Sequence, residues 1–168
     1  DKLWLVDLEQ RNMSRLTSGG GNENAGVLSP DGRWLLFASD RAGGGYHFYR
    51  MPLDGSAPPT VLLEGEGQVG AISYSARMLG FSLRSDRDRF DAYVMSIADD
   101  GTPAGKPILV AGGPEDQSDP TVSAVGGLVA YQSSESGRAE VYVAHLTDPS
   151  SRRRLTNDGG ESPVWNRD

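Results

Sequence analysis

Cysteine is absent from this chain, which removes disulfide bridges, thiolate zinc sites and cysteine nucleophiles together. Histidine is nearly absent, with His47 and His145 the two copies. No stretch approaches the roughly 20 apolar residues that span a bilayer. The acidic first residue opens no charged-then-apolar segment, so a soluble chain without a retained signal peptide or membrane contact is expected. Helical periodicity is missing too: no window places apolar residues at i, i+3, i+4 and i+7 over three turns without a Gly or Pro. Basic residues are outnumbered, with 16 Lys and Arg against 23 Asp and Glu and a formal net charge of -7. A nucleic-acid partner is therefore not expected, because phosphate recognition needs a clustered basic face. The single basic run, Arg152-Arg153-Arg154, reads as a solvated strand edge guarded against aggregation rather than a phosphate clamp.

What the chain has is turns. Its 22 Gly and 10 Pro among 168 residues suit many short strands, and the length suffices for one domain with a real core. A repeat organises them. The segment Leu28-Ser29-Pro30-Asp31-Gly32-Arg33-Trp34-Leu35-Leu36-Phe37 joins a Pro-Asp-Gly turn to an apolar strand. Aligned on the closing aromatic, residues 72–81 and 122–131 repeat the pattern, and Pro163-Val164-Trp165-Asn166 begins another copy. Ser29, Ser73, Ser123 and Asn166 are then spaced by 44, 50 and 43 residues, a blade-sized period.

Third-strand positions fall at residues 46–51, 90–95 and 140–144, matched by 3–8 at the front. Fourth strands fall at 60–63, 107–110 and 154–156, matched by 14–17. The expected fold class is all-β, a β-propeller of four-stranded antiparallel blades. The expected division of 1–168 as a single propeller domain or fragment is 1–26 as the end of a blade, 27–71, 72–121 and 122–163 as blades, and 164–168 as the start of another.

Ser29-Pro30-Asp31-Gly32-Arg33 with Phe37-Ala38-Ser39-Asp40-Arg41 closely resembles the signature of TolB-type, or PD40, propeller repeats. The segments Ser133-Ser134-Glu135-Ser136-Gly137-Arg138, Arg154-Leu155-Thr156 and Pro163-Val164-Trp165 are similar to later blades of that family. The look is nearest to the C-terminal propellers of bacterial transmembrane serine/threonine kinases. The sequence departs from the signature where Leu28, Ile72 and Val122 replace the expected Trp. The resemblance implies about three complete blades plus two partial ones within a larger ring, typically of about six blades. It also implies a periplasmic or extracellular place and a binding or scaffolding role with a protein or small ligand at the loops. Two alternatives stay open. One is a gating propeller of a prolyl-oligopeptidase-type or tricorn-type peptidase, and the other a shortened or engineered propeller that self-associates through open blade faces.

Chemistry is sparsely signalled, and neither an enzyme nor a cofactor is expected. His47 and His145 sit on third strands, without a Gly-x-Ser-x-Gly elbow to supply a nucleophile. Neither has a partner at zinc-ligand spacing. Asp86, Asp88 and Asp91 form a weak calcium candidate, but the interleaved Arg87 and Arg89 favour a salt-bridged turn. The residues of structural weight are Ser29, Pro30, Asp31, Gly32, Arg33, Phe37 and Trp165. Asp31 is expected to fasten its turn by bonding nearby amides.

Overall fold

The computed structural model describes all residues except 65–68, 76, 85–88, 126 and 167–168, and for 69–72 the backbone alone. The described residues form strands and turns without helix. The chain divides into two compact units, Asp1–Gly67 and Gln68–Asp168.

In the first unit, β1 (Trp4–Asp7) and β2 (Asn12–Arg15) form a two-stranded antiparallel ribbon. A four-stranded blade follows, from β3 (Glu23–Leu28), β4 (Trp34–Ser39), β5 (His47–Pro52) and β6 (Thr60–Leu63), paired in chain order. The second unit holds two blades of the same kind. One comprises β7 (Val69–Ser75), β8 (Met78–Arg84), β9 (Phe90–Ser96) and β10 (Ile108–Ala111). The other comprises β11 (Gln117–Val122), β12 (Leu128–Ser133), β13 (Glu140–His145) and β14 (Asp148–Arg154).

The second strand of each blade is its most buried, and an aromatic on it faces an aromatic on the third. Phe37 lies opposite Tyr49, Phe81 opposite Tyr93 and Tyr131 opposite Tyr142, with centroids 5.7, 5.8 and 5.9 Å apart. Each stack is worth about 0.5–1.5 kcal/mol beyond the area it buries. Strand alternation then gives each blade two faces. Tyr142 and Ala144 turn to one side, where they pack with Ala92, Val94, Val110 and Ala111 of the neighbouring blade. Val141 and Val143 turn to the other.

Blade boundaries differ from those read in the sequence. The first strands open at Glu23, Val69 and Gln117 rather than at 27, 72 and 122, because the motif serine closes a strand instead of opening one. In the middle blade the matching serine is Ser75, not Ser73. Leu28 pairs with Leu35 and Val122 with Val129, but Tyr74 pairs with Leu79, so the turn there is two residues shorter. The fourth strands move as well: β14 begins at Asp148, well ahead of residue 154. Its Arg152, Arg153 and Arg154 are exposed on the edge strand of the sheet.

One glycine is fixed by close approach. A Cβ at Gly80 would lie 2.4 Å from the Pro120 carbonyl oxygen and 2.7 Å from Ser73 Oγ. The Ser73 hydroxyl itself donates to that carbonyl at 2.6 Å, drawing β11 down onto the face of the preceding blade.

Candidate functional site

Strand order 1-2-3-4 places the turn between strands one and two at the same end of a blade as the turn between three and four. Aspartates fasten these turns. In the first blade Asp31 accepts from the Ser29 hydroxyl at 2.6 Å, the Arg33 amide at 3.1 Å and Arg33 Nε at 2.6 Å. The Ser29 bond first, then those from Arg33, hold its carboxyl down to about 2. Ser29 Oγ also accepts from the Trp34 amide at 2.9 Å. Gly32 takes a left-handed φ of 69°, which makes the turn possible.

Asp54 accepts from the Ser56 amide at 2.9 Å, which lowers its pKa. In the turns after β1 and β9, Asp7 accepts from the Glu9 and Gln10 amides and Asp100 from the Thr102 amide. Between the Asp31 and Asp54 turns lies a groove of about 350 Å³ lined by Gly32, Arg33, Trp34, Pro52, Leu53, Asp54 and Ser56. The Arg50 guanidinium stacks on Trp34 at 4.7 Å, locking the indole that forms its floor.

Two buried carboxylates, neither singled out from sequence, hold the blades. Glu23 is buried and paired with Lys2 at 2.9 Å and Arg41 at 2.8 Å. It also accepts the Thr17 hydroxyl at 3.1 Å, while Thr17 Oγ accepts from the Leu3 amide at 3.0 Å. Arg41 lies 5.2 and 5.1 Å from the Phe37 and Tyr49 centroids. The Ser-Asp-Arg signature thus supplies a cation that caps an aromatic stack and neutralises a buried acid. Glu140 accepts from the Thr156 hydroxyl, the Gly159 amide and Arg138. The Thr156 bond chiefly depresses its pKa. The shared Leu-Thr of residues 16–17 and 155–156 was the available sequence signal.

The remaining candidates are not brought together. His47 Nε2 lies 3.5 Å from the Gly43 carbonyl. His145 lies beside Ser151, whose hydroxyl donates to the Asp148 carbonyl at 2.6 Å and accepts the His145 amide. The Ser151 proton is therefore directed at backbone. Asp91 accepts from the Gly113 amide at 3.3 Å, whereas Asp86 and Asp88 lie outside the described residues. Arg89 pairs with Asp116 at 3.0 Å. No three His, Asp or Glu side chains among the described residues come together as a metal site. Trp165 donates to the Thr121 carbonyl at 2.9 Å.

These repeated blades match the PD40 family, the TolB beta propeller domain, over residues 1–168. The chain belongs to that family. Structures similar to this TolB-type propeller include a TolB candidate from Agrobacterium tumefaciens, with TM-score 0.78 and 20% identity over 94% of this chain and 56% of that one. TolB from Acinetobacter baumannii aligns with TM-score 0.73 and 21% identity, over 92% of this chain and 37% of that one. A puromycin-hydrolyzing peptidase of Mycobacterium tuberculosis aligns at 0.72 and 20%, over 93% and 27%. These likenesses establish the fold. The chain spans about half the first structure's length and less of the other two.

Proposed function

We propose that this chain is a non-catalytic recognition module whose pinned turns present a rigid groove to an extended segment of a partner protein. The observation that carries the reading is the groove between the Asp31 and Asp54 turns. Its walls are fixed by carboxylate–amide bonds and its floor by the Arg50–Trp34 stack. Rigid turns on a sheet scaffold lose little entropy on binding and suit recognition. The apolar floor of Trp34, Pro52 and Leu53 fits one apolar side chain of the partner, and Asp54 at the rim fits a neighbouring cation.

A periplasmic or extracellular setting accompanies this reading, as a TolB-like adaptor or the sensor region of a membrane kinase. The same rigid turns support a second reading, a propeller that gates a peptidase domain.

The test is selection from a random displayed-peptide library on the purified chain, followed by calorimetry. Peptides pairing an apolar residue with Lys or Arg, at Kd values below about 100 μM, are expected. They should lose at least tenfold affinity to a Ser56→Trp variant that fills the groove. Selection of no such peptide, or peptides indifferent to Ser56→Trp, would overturn the reading.

A further inference from the structure

Three consecutive arginines, Arg152, Arg153 and Arg154, lie on an outer strand. β14 is the last strand of its sheet, hydrogen-bonded to β13 on one side only, and all three arginines are exposed. Backbone alternation decides which of them meet the free edge. The Leu155 amide donates to the Val141 carbonyl, and Arg153 stands opposite Val143. Groups on one side of a strand recur at every second residue. Arg153 and Leu155 therefore face β13, and Arg152 and Arg154 turn their N–H and C=O groups outward. The side chains follow the same alternation. Arg154 shares the face of Tyr142, which the neighbouring blade covers, and Arg152 lies on that face as well. Both residues reach solvent there all the same.

Charge on this edge is not a guard that the blades share. β6 and β10, the outer strands of the other two blades, carry no charged residue within Thr60–Leu63 or Ile108–Ala111. Nor do internal ion pairs neutralise it. Glu135 holds Arg152 at 3.3 Å, an exposed pair of small worth. No carboxylate among the described residues pairs with Arg153 or Arg154. Three adjacent cations repel one another, and an approaching anion relieves that repulsion.

We propose that β14 accepts an acidic extended segment of a partner protein as a fifth strand of its sheet. Charge identifies the occupant. A second copy's β14 would set Arg against Arg, which is destabilising, so the edge rejects its own kind. A segment with carboxylates at alternate positions places one opposite Arg152 and one opposite Arg154, on one face. Its backbone meanwhile takes up the outward N–H and C=O groups. The chain carries a net charge of -7, so the rest of its surface repels such a segment and confines it to this strip. A layer of anionic headgroups would use the charges but leave the backbone edge unpaired, whereas a strand satisfies both. The site shares no residue with the Trp34 groove, goes beyond the reading given for that groove, and stands or falls separately from it.

The test is fluorescence anisotropy of a capped, dye-labelled peptide that alternates Glu with Thr over about eight residues, a strand-length probe, added to the purified chain. A Kd below about 500 μM that weakens as salt is raised is expected. N-methylation of the Glu amides should cost at least tenfold, because the residues opposite Arg152 and Arg154 donate to the edge. N-methylation of the Thr amides, which point away, should cost less than about twofold. The double variant Arg152→Glu with Arg154→Glu should lose this peptide and admit its Lys-for-Glu counterpart, while Ser56→Trp leaves the affinity unchanged. Circular dichroism follows the fold, and Arg154→Gln, with an expected loss of about fivefold, replaces the double variant if that loses its β spectrum. Absence of binding would overturn the proposal, as would binding that the arginine variants retain or that both methylated peptides keep or lose alike. Vesicles containing phosphatidylserine, captured through these arginines when the peptide is not, would overturn it in favour of a lipid surface.

Discussion

Tyr131→Phe is expected to stabilise the protein. The Tyr131 ring is fully buried in the stack with Tyr142, yet its hydroxyl has no hydrogen-bond partner among the described residues. The equivalent rings in the other two blades are Phe37 and Phe81, so the pocket suits an unsubstituted ring. A buried donor without a partner costs about 1–3 kcal/mol. Removing it leaves a void the size of one oxygen atom, and at about 24 cal/mol per Å³ that costs only a few tenths of a kcal/mol. The net gain should be about 1–2 kcal/mol, or roughly 2–8 °C in Tm for a chain of this length.

Urea unfolding should show a higher midpoint with an unchanged m value. Alkaline titration provides a second reading. Burial pushes the Tyr131 phenol up to about 12, against about 10 when unfolded. Because the folded pKa is the higher, wild type should lose stability relative to Tyr131→Phe as pH rises from about 10 through about 12. A Tyr131→Phe variant that is less stable by more than about 0.5 kcal/mol would refute the reasoning, since it would mean the hydroxyl is satisfied.

Three other outcomes are expected. Gly80→Ala should cost about 1–3 kcal/mol in urea unfolding, because the added methyl must displace the Pro120 carbonyl rather than a flexible side chain. Thr17→Val should cost about 1–3 kcal/mol, since it deprives both the Leu3 amide and Glu23 of a partner; no loss of unfolding midpoint would count against that network. Asp31, held down to about 2, contributes stability that is complete above its unfolded pKa of about 3.9 and lost as pH falls through about 2. Asp31→Asn should accordingly reduce the pH dependence in this window, which Asp54 and Glu140 share, visible as urea midpoints that converge with wild type at the acid end.

Strand order and the aromatic stacks were legible because they depend on local alternation: residues 28–37 and 122–131 carry equal turns, so their registers match without a gap. The middle blade misled because its turn is two residues shorter, Tyr74 pairing with Leu79. Arg77 takes a φ of 58° in a shorter connection, which shifted the matching serine from Ser73 to Ser75. Asp31 was legible as a fastener because its bonds are made within its own turn. Glu23 was not, since an acid within Gly-Asn-Glu-Asn reads as solvated loop until Lys2 and Arg41 are brought over it from 21 and 18 residues away.

The two buried carboxylates share chemistry but are wired differently. Glu140 grips Thr156 within its own sheet, so that bond reports only on the blade containing it. Glu23 belongs to β3 yet grips Lys2 and Thr17, which flank the separate β1–β2 ribbon. Peeling the ribbon away would strip β3 of a cation and a donor in one event. Fraying at that end is consequently transmitted into the next sheet, and amide exchange in β3 should quicken whenever the ribbon opens.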